Sequence, residues 1–328
     1  MMIPPGSDPV GTLRALLASG RYQDVLDRHA VASDEWAAEP GAILAVATAS
    51  TRLGHLGDGA SLAESAVAAY RSRADDDGRM RCLNLLGAIA WERGELEVAS
   101  TRWAQALDLA RAIGDKAMAA RAANNLASAL HLQGRTDESR SLYREALLAY
   151  QRLADRRGLA ETEHNLALTH REAGDTRPAH DANDRAVRHA ELVGDPVLLS
   201  LTLAGRAETR LRQGDAALAG HDTDRAEALA SAASDRLGVA EARRIRAIGR
   251  LLGGDPAGAL REVEPVRREA EALGSALLQA DCATVAWRAL RTMGRADEAA
   301  ARLEEARALY RALGAAAQLD RLDAESAT

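Results

Sequence analysis

Residues 114–155 of the chain read GDKAMAARAANNLASALHLQGRTDESRSLYREALLAYQRLAD. Leu126 and Leu130 lie one helical turn apart before Gly134, and leucine and alanine recur every three or four positions after it. Glycine commonly ends a helix in a left-handed turn, and an Asp beside such a turn accepts hydrogen bonds from the free N–H groups of the next helix. The stretch therefore predicts a hairpin of two α-helices, here named helix A and helix B.

The same stop signals recur along the chain at a fixed interval. One ladder has a spacing of 40 residues and consists of Gly54, Gly94, Gly134, Gly174, Gly214, Gly254 and Gly294. A second ladder, offset by 20, consists of Gly114, Ala154, Gly194, Ser234, Gly274 and Gly314. The repeating unit is therefore a hairpin whose helices each span about 16 to 18 residues. Because each hairpin is apolar on more than one side, it must stack on its neighbours, as in a solenoid.

The composition agrees with closely packed helices. Hydrophobic residues make up 47% of the 328 residues, but alanine alone supplies more than a fifth of the chain, aromatic residues total 3% and phenylalanine is absent. Alanine is the best helix former, and the scarcity of β-branched alternation argues against a β-rich fold. We predict an all-α, right-handed α-solenoid of about eight helical hairpins over residues 9–328, as a single domain with a C-terminal capping helix. Residues 1–8 are expected to be disordered.

Three irregularities interrupt this pattern. The first hairpin is predicted to have two shorter helices, at about 9–19 and 21–31. Residues 57–59, Gly-Asp-Gly, are expected to lengthen the turn that follows the next helix. Pro265 lies about ten residues into a predicted helix, where proline removes a hydrogen bond, so a kink or break is expected near Glu264.

Charge and cysteine content exclude several classes of protein. The 42 basic and 48 acidic residues give a net charge of −6 and are dispersed, which argues against direct nucleic-acid binding. The longest apolar stretch, residues 42–49, is too short to cross a membrane, and no secretory signal precedes it, so a cytoplasmic protein is expected. Cys82 and Cys282 are too few for a disulfide framework and are predicted to be buried, reduced thiols.

Motifs of enzymes and metal sites are missing from the sequence. The chain has no Gly-x-x-x-x-Gly-Lys, no Gly-x-Ser-x-Gly and no His-Glu-x-x-His. Glu161 and His164 form a Glu-x-x-His motif, but a carboxylate-bridged metal site needs a second such motif. No metal and no cofactor are therefore expected. A catalytic arrangement of His131 or His164 with Glu161 remains the alternative.

The third to fifth hairpins carry a pattern of small and aromatic residues. In the third hairpin its members are Leu86, Gly87, Gly94, Ala99, Trp103, Ala106 and Leu107. Tyr143 takes the place of Trp103 in the next hairpin. This pattern resembles the tetratricopeptide repeat, in which small residues let helix B approach helix A and the aromatic residue fills the gap to the next hairpin. The pattern is clear over residues 80–190.

The spacing of 40 is similar to that of Rap-type peptide-responsive regulators and of the sensor domains of large bacterial transcription activators. This resemblance implies a concave groove, lined by helix A, that binds peptides, partner proteins or small effectors. Residues of one phase of helix A should then form columns that repeat every 40 residues. The candidate ligand-binding residues are Arg81, Asn84, Trp91, Arg121, Asn124, Ser128, His131, Glu161, His164 and Arg171. Further along, the same columns reach Glu241, Arg244 and Asp281.

The chemistry of these side chains suits an extended ligand. Asparagine offers both a donor and an acceptor to peptide amides, and arginine receives carboxylates. The predicted function is a non-enzymatic binding module, a scaffold or regulator that captures a peptide, a protein segment or a small effector. Two alternatives remain: a solvated polar face with no ligand, and an α-solenoid enzyme that uses groove histidine and carboxylate residues.

Overall fold

The computed structural model describes residues 9–31 and 38–327, so the disorder expected for residues 1–8 falls outside the described part of the chain. Within those two ranges there are 17 α-helices and no strand. The helices are α1 Pro9–Ala18, α2 Tyr22–Ala30, α3 Pro40–Arg52, α4 Leu56–Ser72, α5 Asp76–Glu92, α6 Leu96–Ile113, α7 Lys116–Leu132, α8 Thr136–Leu153, α9 Arg156–Glu172, α10 Thr176–Val193, α11 Pro196–Arg212, α12 Ala216–Ala232, α13 Arg236–Leu252, α14 Pro256–Ala272, α15 Ala276–Thr292, α16 Ala296–Leu313 and α17 Ala316–Ser326.

Helix pairs form hairpins that stack in series. From α5 to α16 every helix has 17 or 18 residues, and the odd-numbered helices are the A helices. Helix A packs along helix B of its own hairpin, and α9, α11, α13 and α15 also contact one another in sequence. The predicted all-α solenoid of helical hairpins with a C-terminal capping helix is confirmed, and the short helices α1 and α2 match the expected first hairpin.

The stop signals work as the sequence predicts. All seven glycines of the first ladder have φ between 72° and 84°. The second ladder is left-handed as well, including Ala154 and Ser234, with φ of 53° and 58°. Asp155 and Asp235 then each accept a hydrogen bond from a backbone N–H in the first turn of the next helix. These two kinds of stop signal separate consecutive helices by two or three residues throughout the regular part of the chain.

The chain divides into two compact units, the first ending at Leu126 and the second beginning at Ala127, inside α7. In the first unit, a Cβ added to Gly87 would lie 2.5 Å from the Trp103 ring, so glycine is needed for α6 to approach α5. In the second unit, Tyr143 and Ala146 of α8 are buried. The small and aromatic positions of the repeat pattern are therefore core positions. The single domain over residues 9–328 stays a prediction.

The expected lengthening of a turn by residues 57–59 was wrong. Helix α4 begins at Leu56 and includes all three residues. A Cβ added to Gly59 would lie 2.4 Å from Oγ1 of Thr51 in α3, so this glycine permits close packing of two helices rather than a longer turn.

A break near Glu264 is ruled out, since α14 continues through Pro265 from Pro256 to Ala272, while the kink expected there stays a prediction. Proline removes one helical hydrogen bond, but Val263 and Val266 on either side are buried in a hydrophobic cluster. Packing of these neighbours holds the helix together across the proline.

Both cysteines are buried free thiols, as predicted. Burial raises the pKa of Cys82 to about 12 and raises that of Cys282 well above its usual range. Among the described residues, no helix combines the length and apolar character needed to span a membrane.

Candidate functional site

The structure places the ten predicted site residues on three A helices. Arg81, Asn84 and Trp91 lie on α5, Arg121, Asn124, Ser128 and His131 lie on α7, and Glu161, His164 and Arg171 lie on α9. The first five belong to the first unit and the last five to the second.

In the first unit, the two arginines are the most accessible of these residues. Arg81 is exposed and pairs with Asp77 at 2.9 Å and with Asp115 at 3.6 Å. Arg121 is exposed and forms no ion pair with another described residue. Asn124 is buried, with 6% of its surface accessible. Among the five predicted site residues of the first unit, Arg121 is therefore the one whose charge has no ion-pair partner in the described part of the chain.

Asn84 and Trp91 are tied into the packing of the first unit. The backbone carbonyl of Asn84 accepts a hydrogen bond from Trp103 Nε1 at 3.2 Å, and its Oδ1 accepts one from Asn125 Nδ2 at 3.4 Å. The Trp91 ring lies 5.8 Å from the Trp103 ring, centroid to centroid. Both residues thus help hold α6 against α5.

In the second unit, Ser128 joins two helices. Its hydroxyl lies 3.0 Å from the Tyr143 hydroxyl of α8 and accepts a hydrogen bond from Asn165 Nδ2 of α9 at 3.4 Å. Glu161, at the other end of the site, lies 3.6 Å from Arg157 one turn away.

His131 is buried next to a carboxylate. Its Nε2 lies 2.8 Å from Oε2 of Glu172, and Arg321 of α17 approaches the same oxygen at 2.7 Å. Burial raises the pKa of Glu172, but its interactions with His131 and Arg321 outweigh burial and leave the pKa below its usual value. Glu172 is therefore ionised in the folded protein.

Arg171 belongs to a row of buried charges that crosses three A helices. Oε2 of Glu208 on α11 lies 3.3 Å from Arg171 of α9 and 2.9 Å from Arg244 of α13. The side chains of Arg171, Glu208 and Arg244 are 8%, 10% and 9% exposed, respectively. Burial favours the neutral acid, yet the arginines hold the pKa of Glu208 far below its usual range. This row is an ion-pair network inside the second unit.

The network continues to the last hairpin. Arg244 also pairs with Glu241 at 2.6 Å, and the Tyr310 hydroxyl of α16 donates a hydrogen bond to Asp281 Oδ1 at 2.6 Å. Burial raises the pKa of Asp281 to about 6, although Arg244 opposes that shift. Glu241, Arg244 and Asp281 all lie on the predicted columns.

His164 sits against the backbone of the neighbouring A helix. A Cβ added to Gly205 of α11 would lie 2.6 Å from its ring. Burial, followed by the charge of Arg171, lowers the pKa of His164 to about 4, so the ring is neutral near pH 7.

Three predicted site residues have a buried polar atom without a hydrogen-bond partner among the described residues. These atoms are Nδ1 and Nε2 of His131, Nδ1 of His164 and Nε of Arg171, since the 2.8 Å approach of His131 Nε2 to Glu172 lacks hydrogen-bond geometry. Unsatisfied buried polar atoms are uncommon in folded proteins because each costs the free energy of losing water. The helix-A face of the second unit, defined by His131, His164 and Arg171 with Glu208 and Arg244, is thus a candidate binding site.

Glu172, Glu208 and Arg321 were not among the predicted site residues. Glu208 carries a sequence signal, because it lies 80 residues after Ser128 on the same column. No sequence signal points to Arg321, because its contact with Glu172 depends on how α17 packs near the end of α9. Among residues 9–31 and 38–327, no group of three or more His, Cys, Asp and Glu side chains could hold a metal ion.

The family comparison places a tetratricopeptide repeat within the hairpins that form this site. Residues 118–191 match the tetratricopeptide repeat family model. No curated protein sequence matches the chain. The structure comparisons below show that the same fold extends well beyond residues 118–191.

Three solved structures illustrate the similarity. A Rap protein complexed with competence and sporulation factor has a TM-score of 0.76 and 13% identity, covering 90% of this chain and 80% of that one. The Rap conjugation gene regulator of plasmid pLS20, in complex with the Phr* peptide, has a TM-score of 0.69 and 17% identity over 86% of this chain and 75% of its own. The apo quorum sensor NprR from B. thuringiensis has a TM-score of 0.66 and 11% identity, covering 92% of this chain and 86% of its own. The predicted resemblance to tetratricopeptide-repeat proteins of the Rap type is therefore confirmed for the fold.

Proposed function

We propose that this chain is a non-enzymatic, cytoplasmic binding module of a regulatory kind, and that the helix-A face of its second unit captures an extended peptide or protein segment. The observation that carries the proposal is the set of unsatisfied atoms on His131, His164 and Arg171. A peptide backbone offers both carbonyl acceptors and N–H donors, which are the groups that these atoms need.

Each of the three side chains has a defined part in binding. Arg171 Nε–H donates to a peptide carbonyl. His164 is neutral, because burial lowers its pKa to about 4, so one ring nitrogen accepts and the other donates. His131 turns Nε2 towards Glu172 and leaves Nδ1 for the ligand. These contacts orient a backbone without reading its side chains.

The ion-pair network supplies a second element of recognition. Glu208 holds both Arg171 and Arg244, so a carboxylate on the ligand competes with Glu208 for the same guanidinium groups. A buried ion pair contributes little net stability, since desolvation offsets the attraction. Exchange of one carboxylate for another therefore costs less than breaking the pair.

Similar structures support a regulatory, peptide-binding module, since one of them is a conjugation gene regulator in complex with a Phr* peptide. We assign the exposed Arg121 of the first unit, together with Arg81, Asn84, Trp91 and Asn124, a separate accessory part in binding. A small effector is the other ligand class compatible with the same polar groups.

The enzyme alternative is less well supported by the geometry. The closest histidine–carboxylate pair is His131 with Glu172, but Arg321 occupies the same carboxylate oxygen. His131 first and Arg321 second hold the pKa of Glu172 below its usual value, which makes this carboxylate a poor proton acceptor.

Peptides selected from a displayed library of short random sequences test the proposal. Selected peptides are resynthesised, and their dissociation constants for the full chain are measured by calorimetry. Arg171→Gln should weaken binding about tenfold or more, since a charged hydrogen bond contributes about 1.5–3 kcal/mol. Glu208→Gln should strengthen binding of peptides that carry a carboxylate, because the internal competitor is gone.

Arg144→Gln is the matched control, since Arg144 is exposed on helix B of the fourth hairpin. Arg185, also on a helix B, is unsuitable because it pairs with the buried Glu163 at 2.7 Å. Circular dichroism checks that each variant keeps its helices. If Arg171→Gln and Arg144→Gln bind the selected peptides equally well, the helix-A face of the second unit is not the binding site.

A further inference from the structure

A cavity of about 580 Å³ opens between α12, α13 and α14, and none of its lining residues belongs to the helix-A face. Val239, Ala240 and Val266 form apolar walls, while Arg236, Arg243 and Arg261 bring guanidinium groups to its lining. Ala240 and Val266 are each 3% exposed, so they lie at its base. This volume lies in the range of small-molecule sites, and an apolar base with a few charged groups is their usual composition.

A comparison between repeats explains why the space exists. In the hairpin of α9 and α10, Arg185 bridges from helix B to Glu163 of helix A at 2.7 Å. Eighty residues further on, the equivalent positions hold Pro265 and Arg243. Proline has no side chain that can reach across, and Arg243 pairs instead with Glu227 of α12 at 2.8 Å. The cavity lies where the bridging side chain is missing.

The acidic groups at this cavity already have partners. Glu269 accepts from Arg236 at 2.6 Å, and Asp235 accepts from the backbone N–H of Gly238 at 3.0 Å. Glu262 lies 3.5 Å from Arg246.

One cationic side chain at the cavity has no ion-pair partner among the described residues. Arg261 is exposed and forms no ion pair with another described residue. Arg243 is half exposed and pairs with a residue outside the lining. The lining carries three arginines and three carboxylates, and among these arginines Arg261 is the one without an ion-pair partner in the described part of the chain, next to the apolar base.

We propose that this cavity binds a small organic carboxylate with an apolar body. The apolar body lies on Val239, Ala240 and Val266, and the carboxylate pairs with Arg261. An arginine forms two parallel hydrogen bonds with a carboxylate, which a neutral amide cannot reproduce. The site is separate from the helix-A face, so a small effector and a peptide can occupy the protein together.

Phenylacetate and cyclohexylacetate are suitable probes, each with its primary amide as a neutral partner of the same shape. Saturation-transfer NMR with the full chain detects binding, and titration gives dissociation constants. Both acids should bind more tightly than their amides. Arg261→Gln should weaken acid binding about tenfold and leave amide binding unchanged.

Arg268→Gln is the matched control, because Arg268 is exposed on the same helix but does not line the cavity. Val239→Phe fills the cavity and should abolish binding of acids and amides alike. Circular dichroism checks that Val239→Phe folds. If it does not fold, the comparison of Arg261→Gln with Arg268→Gln tests the proposal. The proposal is overturned if neither acid binds, if acids and amides bind equally, or if Arg261→Gln behaves like Arg268→Gln.

Discussion

Arg321 of the C-terminal helix lies 2.7 Å from Oε2 of Glu172, at the end of α9. The same helix carries Glu325, which pairs with Arg288 of α15 at 2.5 Å. Helix α17 is thus attached to two separate A helices of the second unit. A capping helix in a repeat array usually covers the apolar side of the last hairpin. Helix α17 also forms ion pairs with two earlier helices.

Arg321→Ala should loosen α17 because Glu172, which is 11% exposed, loses its arginine partner. The expected loss is about 1 kcal/mol, since 40% of the Arg321 side chain is exposed to solvent, which screens the pair. Hydrogen exchange followed by mass spectrometry should show faster exchange in residues 316–326 than in α16. Arg268→Ala, at an exposed position of α14, provides the comparison. Equal exchange in both variants would show that the Arg321–Glu172 contact does not hold the helix.

The close approach of α11 to His164 predicts opposite effects for two Gly-to-Ala changes. Gly205→Ala should destabilise the protein by about 1–3 kcal/mol, because the new Cβ would meet the His164 ring at 2.6 Å. Gly220→Ala, in α12, has open space around it and should stabilise by up to about 1 kcal/mol through helix propensity. Urea unfolding measures both. A shift in the same direction for the two variants would contradict this arrangement of α9 and α11.

The repeat interval made most of the fold predictable from sequence. Stop signals at fixed spacing depend on local backbone chemistry, and even Ala154 adopts the left-handed conformation that the ladder requires. Gly59 and Pro265 misled because their effects depend on tertiary packing: Gly59 faces Thr51, and Pro265 lies between two buried valines. A local signal read alone could not reveal those neighbours.

The candidate site was predictable only as a set of columns. Position in the repeat correctly placed His164, Arg171 and Arg244 on A helices. It could not reveal that Glu208 neutralises two of them, since the pairing depends on rotamers and on the spacing between helices. The contact of Arg321 with Glu172 was still less predictable from the sequence, because the two residues belong to no common column.

Ala146→Leu tests the packing of helix B against helix A in the second unit. Ala146 is fully buried, so the extra methyl groups should overpack the core and cost about 1–3 kcal/mol. The melting temperature should fall whether or not a ligand is present. Leu148→Ala, at a 54% exposed position of the same helix, should change stability by less than about 0.5 kcal/mol. Unchanged melting of Ala146→Leu would mean that α8 presents a different face to α7.

The buried titratable groups predict two opposing pH dependences. His164 has a pKa of about 4 in the folded protein against 6.5 for the free group, so the unfolded chain binds more protons between these values. The contribution of His164 to the free energy of unfolding is complete above pH 6.5 and is lost as the pH falls towards 4. Asp281 behaves in the opposite way: its pKa rises from 3.8 to about 6, so its contribution is present at low pH and is lost as the pH rises through 6.

Asp281→Asn should therefore make stability rise more steeply with pH, because the opposing contribution disappears while that of His164 remains. A shift of about two pKa units corresponds to roughly 3 kcal/mol. Urea unfolding midpoints between about pH 4 and pH 6 should separate increasingly from those of the unmodified protein, with Asp281→Asn the more stable at the upper end. Asp297→Asn, at an exposed position of α16, should run parallel to the unmodified protein. Parallel curves for Asp281→Asn as well would mean that Asp281 is ionised throughout, held by Arg244 in spite of its burial.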